Sequence, residues 1–559
     1  MSKRGAAWEE EAAAVAKSAR TDSSEATQSV AEQASPPRSE KEPDVSAIDA
    51  SNTEEKSLVS QVENAHAASA PAVPQPAETT ASNDTFLQEK KESNDAQASH
   101  EGQGRQAKRK VAIFFGYCGS GYSGLQINPG VKTIEGDIFD AFCRAGAVSE
   151  ENAVNPNKIQ LQRAARTDRG VHAAGNLLTA KLMLEPPVLA EGQTLTEYVN
   201  TLLPPHVRIW GMRRVQNAFN ARTSCDSRLY EYLLPTYVFL PPKPYSSMWK
   251  MLRRLNVGEQ SSESNLAPWD DPAVRHIVML NHPFWQVQGY EKEFAEDMHA
   301  KRKWRISADE LARVRSVFDM YTGPHNFHNF TVGKEFRDRS SHRVMKQLSV
   351  SDPKIINDTE WVSVKFHGQS FMLHQIRKMI GLLVLIGRTN APLSLISQAF
   401  GPARIHVPKA PGLGLLLVEP HFGGYNVKVA NNNERIDRMI AQRAGTSKPL
   451  PENAEGGKRE PVDFVEFQEK MDAFKQTFIY DEIHRTEDAT AEFAKWLNYL
   501  DVFVGPDFEY LNPEGRIPDC AILRLGEQRR APGGQPKAED AAESDSESDV
   551  PATNEELEG

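Results

Sequence analysis

Apolar residues fall into short blocks whose spacing switches between strand-like and helical through the middle of the chain. Val111 to Phe115 is a continuous apolar run and predicts a buried strand. Thr133 is placed to N-cap a helix in which Ile134, Ile138, Ala141 and Phe142 recur at helical spacing. Ile159-Gln160-Leu161-Gln162 alternates and predicts a short strand, and Leu177 to Leu184 predicts a mostly buried one. Thr194 and Glu197 form a capping box before Tyr198, Leu202 and Leu203. Val207 to Trp210 and Arg228 to Leu234 read as strands, with Tyr230 and Tyr232 on one face. Periodicity is lost from Leu240 to Arg305, where Gly258 to Ser264 reads as an exposed insertion. Ser307 with Glu310 opens a helix carrying Leu311, Val314, Phe318 and Tyr321, and Gly323 is expected to end it. Val344 to Val350 and Trp361 to Phe366 follow as strands, His374 to Ile386 as an apolar helix and Leu413 to Val418 as a last strand. Two successive sets of strands with helices on one side predict an α+β body of two similar halves. Beyond it, Phe464, Phe467, Met471 and Phe474 have helical spacing, and this block, roughly Glu460 to Leu500, is expected to pack on the outside.

Composition limits how much of the chain belongs to that body. Residues 1–107 hold two large aromatic residues, Trp8 and Phe86, among Ala, Ser, Glu, Gln and Pro, too few to offset chain entropy. The expected organisation is a disordered tail over 1–107, a first half over 108–237, and a second half over 238–425 with an insertion near 241–305. A helical extension over 426–530 and an acidic tail over 531–559 complete it. Residues 1–107 and 538–559 each carry a net charge of −9, whereas the whole chain carries −11, so residues 108–537 are at +7. That excess changes the impression left by an overall pI near 5.8. A positive body suits a polyanionic partner, although seven charges over more than four hundred residues is a modest excess.

Other patterns narrow the chemistry. Cys118, Cys143, Cys225 and Cys520 lie far apart with no Cys-x-x-Cys pair, which predicts a reducing compartment and no thiolate metal site. The longest apolar run, Ile380 to Ile386, is too short to span a bilayer, and the first twenty residues are interrupted by Glu9-Glu10-Glu11, so a soluble intracellular protein is expected. The Gly-rich run from Gly116 to Gly124 fits neither nucleotide-binding spacing. His325 and His328, with His342 and His374 further on, give zinc only weak support, since no acidic or thiolate partner stands at metal spacing. Lys108-Arg109-Lys110 is short for a nuclear signal and serves equally to hold phosphates.

One connection concentrates chemistry. Between two strand-like runs lies Ala165-Arg166-Thr167-Asp168-Arg169-Gly170-Val171-His172-Ala173, which sets one carboxylate among arginines and small residues. Gly170 permits a turn that other residues resist, and Arg166 and Arg169 can hold the carboxylate ionised or bind phosphate through their planar forks. From local chemistry alone this also describes a surface ion pair in a hairpin. The string resembles the catalytic loop of the TruA family of pseudouridine synthases, and the surrounding segments, from about Lys110 to Phe422, resemble its eukaryotic multisite-specific tRNA members.

The resemblance implies the pseudouridine synthase fold, two sheet-plus-helix halves flanking a basic cleft. It implies Asp168 as the catalytic carboxylate and Arg166 as the residue that pairs with it and helps displace the target base. Tyr230 corresponds to a tyrosine that stacks on the uracil, and Arg377, in His374-Gln375-Ile376-Arg377, to a basic residue ion-paired with the Asp. Leu415 corresponds to an apolar residue closing the pocket. Arg169, His172 and Arg222 are expected to contact substrate. The implied reaction needs no cofactor, and the implied partners are tRNA and, further, snRNA or mRNA. A monomer in the nucleus is expected, with additional cytoplasmic or mitochondrial pools left open. Two other readings stand beside this one: a family member of narrower anticodon-arm specificity, and a non-catalytic RNA-binding or chaperone protein on the same fold.

Overall fold

The computed structural model describes residues 107–257, 282–288, 294–444 and 457–524. The expected tails, apart from Ala107, and the Gly258 to Ser264 insertion lie outside the described residues. All described residues belong to one compact unit, Ser99–Gly559.

Its centre is a sheet of ten strands: β1 (Arg109–Tyr117), β2 (Gln162–Arg163), β3 (His172–Leu182), β4 (Val207–Arg214), β5 (Ser227–Pro235), β6 (Gly323–Asn326), β7 (His342–Val350), β8 (Lys354–Ile356), β9 (Thr359–Gly368) and β10 (Leu415–His421). The order is β4-β1-β3-β10-β5-β9-β7-β6, with β2 on β3 and β8 on β9. The last strand in sequence thus lies at the middle of the sheet. It runs parallel to β3, with Leu416 opposite His172, and antiparallel to β5, with Leu417 opposite Tyr230. The sheet continues unbroken past the expected division at residue 237, because β5 pairs along its length with β9.

Local signals act as their chemistry predicts. The Thr133 hydroxyl accepts from the Gly136 amide at the start of helix Ile134–Arg144, and both capping boxes form, at Thr194–Glu197 and Ser307–Glu310. Three expectations need correction. Ile159 to Leu161 is not a strand: Pro156–Ile159 is a 3₁₀ turn, Gln160 is left-handed (φ 55°), and pairing begins only at Gln162. The proline and the Asn155 side-chain cap set that turn, so apolar alternation here reflects burial of Ile159 and Leu161 alone. Gly323 does not end its helix, which runs Ala308–Asp319; with φ +99° it begins β6.

The third correction concerns the C-terminal block, which covers a face of the sheet rather than sitting outside a finished body. Phe464 and Phe467 lie 5.0 and 5.1 Å from the Phe114 ring, and Phe474 lies edge-on to Trp210 at 5.2 Å. Met471 is fully buried. Two glycines make this contact feasible: a Cβ on Gly175 would sit 2.7 Å from Met471 Cε, and one on Gly211 2.6 Å from the Phe467 ring. Further along, Tyr480 donates to Glu231 Oε2 at 2.8 Å, and Tyr237 donates to Glu487, which also accepts the Phe493 amide at 3.1 Å. Asp501 pairs with the buried Arg388 at 2.7 Å. Opposite strand faces bury opposite partners, since Glu231 turns towards this block while Tyr230 turns towards the helix Gln375–Thr389.

Candidate active site

The loop between β2 and β3 carries Asp168 and is held at Ala164, Ala165, Thr167 and the turn from Asp168 to Val171. Ala164 donates its amide to Leu177 O at 2.8 Å, and Arg228 donates Nε and Nη2 to Ala164 O at 3.1 and 2.7 Å. The Asn176 side chain donates to Ala165 O at 3.1 Å, and the Thr167 hydroxyl shares a 2.7 Å hydrogen bond with Tyr117. Leu125 donates its amide to Thr167 O, and Val171 closes the turn onto Asp168 O with Gly170 at φ +75°. A loop anchored this way places its carboxylate on a rigid support.

Asp168 faces a cavity of about 170 Å³ walled by Arg166, Tyr230, Phe371, His374, Arg377 and Leu415. The topology explains why these meet. Parallel pairing of β10 with the start of β3 brings Leu415 to the exit of the motif loop, and antiparallel pairing with β5 sets Tyr230 beside it. Phe371 and His374 come from the turn leading into the helix Gln375–Thr389, whose N-terminal end therefore faces the carboxylate. Tyr230 stands edge-on to Phe371 at 5.1 Å, and burial pushes its phenol up to about 12, so the ring is a neutral surface at physiological pH.

Five of the expected residues, Asp168, Arg166, Tyr230, Arg377 and Leu415, line this one cavity. Arg169 is exposed on the same loop outside it, and Arg222 lines a neighbouring hollow that shares Arg166. His172 does not reach the cavity. It is fully buried in β3, its Nδ1 accepts the Gly119 amide at 3.1 Å, and burial pushes its pKa down to about 4. A neutral histidine sealed in the sheet supports the motif loop and cannot contact substrate.

The expected Arg377–Asp168 pair also gives way to a different arrangement. The side chain in contact with the carboxylate is that of His374, Nδ1 to Oδ2 3.3 Å, while Arg377 donates Nε to Ala410 O at 2.7 Å and acts on Asp168 through its charge. Burial alone would raise the Asp168 pKa. The hydrogen bond and charge of His374, then the charges of Arg377 and Lys409, outweigh it and leave the carboxyl below its ordinary value. His374 holds a left-handed backbone (φ 60°), rare for a non-glycine residue, as the N-cap of its helix. The sequence shows His374 at the start of the apolar helix, in the motif that carries Arg377 and in a weak metal set, but assigns it no contact with the carboxylate. Its position immediately before an apolar helix was the available signal. The other histidines of that set are dispersed: His325 stacks on Phe400 at 4.1 Å and His328 is buried against Phe336. Among the described residues no group of three His, Cys, Asp or Glu side chains is placed to hold a metal.

Residues 317–423 match the family model described as tRNA pseudouridine synthase. The chain is 40% identical to tRNA pseudouridine synthase 1 of Yarrowia lipolytica across 78% of its own length and 82% of that protein. It is 38% identical to the protein of that name in Schizosaccharomyces pombe, across 81% of this chain and 93% of the relative. The chain belongs to the tRNA pseudouridine synthase family. It is also 39% identical to the tRNA pseudouridine(27/28) synthase of Saccharomyces cerevisiae, over 57% of this chain and 86% of that protein. Family membership accounts for the mixed α+β sheet with the cavity at its centre. The matched segment 317–423 contributes Phe371, His374, Arg377 and Leu415 to the cavity, and Tyr230 of β5 and the Asp168 loop supply the rest from outside it.

Proposed function

We propose that this chain isomerises uridines of tRNA to pseudouridine, with Asp168 as the catalytic carboxylate. One observation carries the assignment of the residue: among the described residues lining the cavity, Asp168 is the one acid, and its environment keeps it ionised. The reaction breaks an N-glycosidic bond, turns the uracil and rejoins it through carbon, with no redox change and no net hydrolysis. A single charged carboxylate can serve either by adding to the sugar or base or by removing a sugar proton. Tyr230 offers a ring against which the uracil stacks, Leu415 and Phe371 exclude water, and Arg166, which lines the cavity beside Asp168, helps displace the base from its stack. No step requires a cofactor.

The uridine reaches this cavity only after leaving its stack, so binding rests on phosphates and RNA shape, and selection of uridine on the pocket. That division supports action at several tRNA positions and on other structured RNAs, including snRNA and mRNA. The segments Gly170-Val171-His172-Ala173 and Ser370 to Gln375, which resemble the multisite branch, favour the multisite reading over an anticodon-arm one. We further propose a monomer acting in the nucleus. Lys110 of the short basic run is buried in β1, so an import signal must lie elsewhere. Pseudouridine mapping across tRNA and other RNAs with and without the gene tests the activity and its breadth together. A map unchanged by deletion would reject both, and lost sites confined to one tRNA position would leave the narrower specificity.

A further inference from the structure

Behind one wall of the cavity lies a second hollow of about 60 Å³, lined by Arg163, Arg166, Arg222 and Arg228 with the small residues Ala164 and Ala165. The four arginines come from β2 (Arg163), the motif loop (Arg166), the connection before β5 (Arg222) and the start of β5 (Arg228). Arg163 is matched by the buried Glu135, Nε to Oε1 2.5 Å. Arg228 is oriented by the Ala164 carbonyl, to which it gives two hydrogen bonds. Among the described residues lining the hollow there is no carboxylate. With Arg163 matched by Glu135, three further cationic side chains line so small a space, which suits an anion, and planar forks of donors suit a tetrahedral phosphate better than a single ammonium would. The alanines keep the floor low enough for a backbone to approach.

Arg166 lines both spaces, so whatever enters the hollow lies one side chain away from whatever enters the cavity. Resting on the reading of the cavity as the uridine site, we propose that the hollow holds the RNA phosphodiester adjacent to the target nucleotide. Clamping that phosphate fixes the turned-out sugar relative to Asp168, and the larger space takes the base while the smaller takes its backbone. Specificity for uridine then resides in one compartment and registration of the strand in the other.

The test uses the full chain and tRNA substrates in which a single neutral methylphosphonate replaces the phosphate on the 5′ or the 3′ side of the modified uridine. Affinity is read in an Asp168→Ala background, so the result does not depend on conversion of the uridine. One of the two substitutions is expected to weaken binding roughly tenfold, and Arg222→Gln to weaken binding of unmodified-backbone tRNA by a similar factor with a salt slope lower by about one. Combined, the two changes should cost no more than either alone, and Arg222→Lys should restore only part of the loss. Losses that multiply, or no loss from either flanking substitution, would overturn the proposal. So would competition by inorganic phosphate that is indifferent to the flanking phosphate, which would make the hollow a free-anion site. Failure of the wild-type chain to form pseudouridine would reject the uridine reading while leaving the binding result to be scored on its own.

Discussion

His374 Nδ1 lies 3.3 Å from Asp168 Oδ2, joining residues 206 positions apart and pointing the start of the helix Gln375–Thr389 at the cavity's one carboxylate among the described residues. Asp168 has a depressed pKa, so its ionised form is present above that value and is lost as pH falls through it. His374→Asn should raise the acidic limb of the pH–rate profile, because the hydrogen bond and charge that offset burial are removed. Arg377→Met should raise it by less, since its contribution is charge at longer range. Single-turnover rates between pH 3.5 and 7 give the ordering, and an acid limb moved further by Arg377→Met would restore arginine as the principal partner.

Asp168→Ala should abolish pseudouridine formation and leave tRNA affinity within a few-fold of wild type. Measured by tritium release and by filter binding, activity near the wild-type rate would remove Asp168 from the chemistry.

Tyr230 should show its importance in the chemical step through its ring. Tyr230→Phe keeps the stacking surface and should retain much of the turnover, whereas Tyr230→Ala opens the wall shared with Phe371 and should lower it by orders of magnitude. Equal losses in the two variants would assign the function to the hydroxyl instead.

Glu487 ties the C-terminal block to Tyr237, and burial pushes its pKa up to about 7. A raised carboxyl pKa means that its contribution to stability is fully present below the unfolded value near 4.5 and is lost as pH rises to about 7. His172, with its pKa pushed down to about 4, acts in the opposite sense below 6.5, so the raw pH curve mixes the two. The difference between wild type and Glu487→Gln isolates the glutamate. The stability advantage of wild type should shrink between pH 4.5 and 7 in denaturant titrations, and a difference independent of pH would contradict the assignment.

Gly211→Ala drives a methyl group into the Phe467 ring and should cost about 1–3 kcal/mol, as overpacked cores do. Phe467→Leu should relieve part of that cost, making the double variant more stable than the sum of the single losses. Chemical denaturation of the four proteins gives the coupling, and strict additivity would mean that the ring already moves aside.

The local sequence determined what local physics controls. Capping chemistry at Thr133, Thr194 and Ser307, the apolar strand and helix runs, and the Asp168 loop with Gly170 were legible because each depends on residues a few positions apart. Resemblance added that Tyr230, Arg377 and Leu415 belong with Asp168, and the cavity contains all three. Tertiary structure decided the rest. Insertion of β10 between β3 and β5 sets Leu415 beside Tyr230, and no periodicity encodes a pairing between strands so distant in the chain. His172 and His374 could not be told apart by residue type: one is sealed within a strand, and the other is turned onto the carboxylate by a left-handed backbone at a helix start. The aromatic block at Phe464 to Phe474 had an evident apolar face, but only Gly175 and Gly211 on the facing strands show where it docks. Spacing along a chain reports which side of an element is apolar, and the partner that buries it is chosen by contacts whose two halves lie hundreds of residues apart.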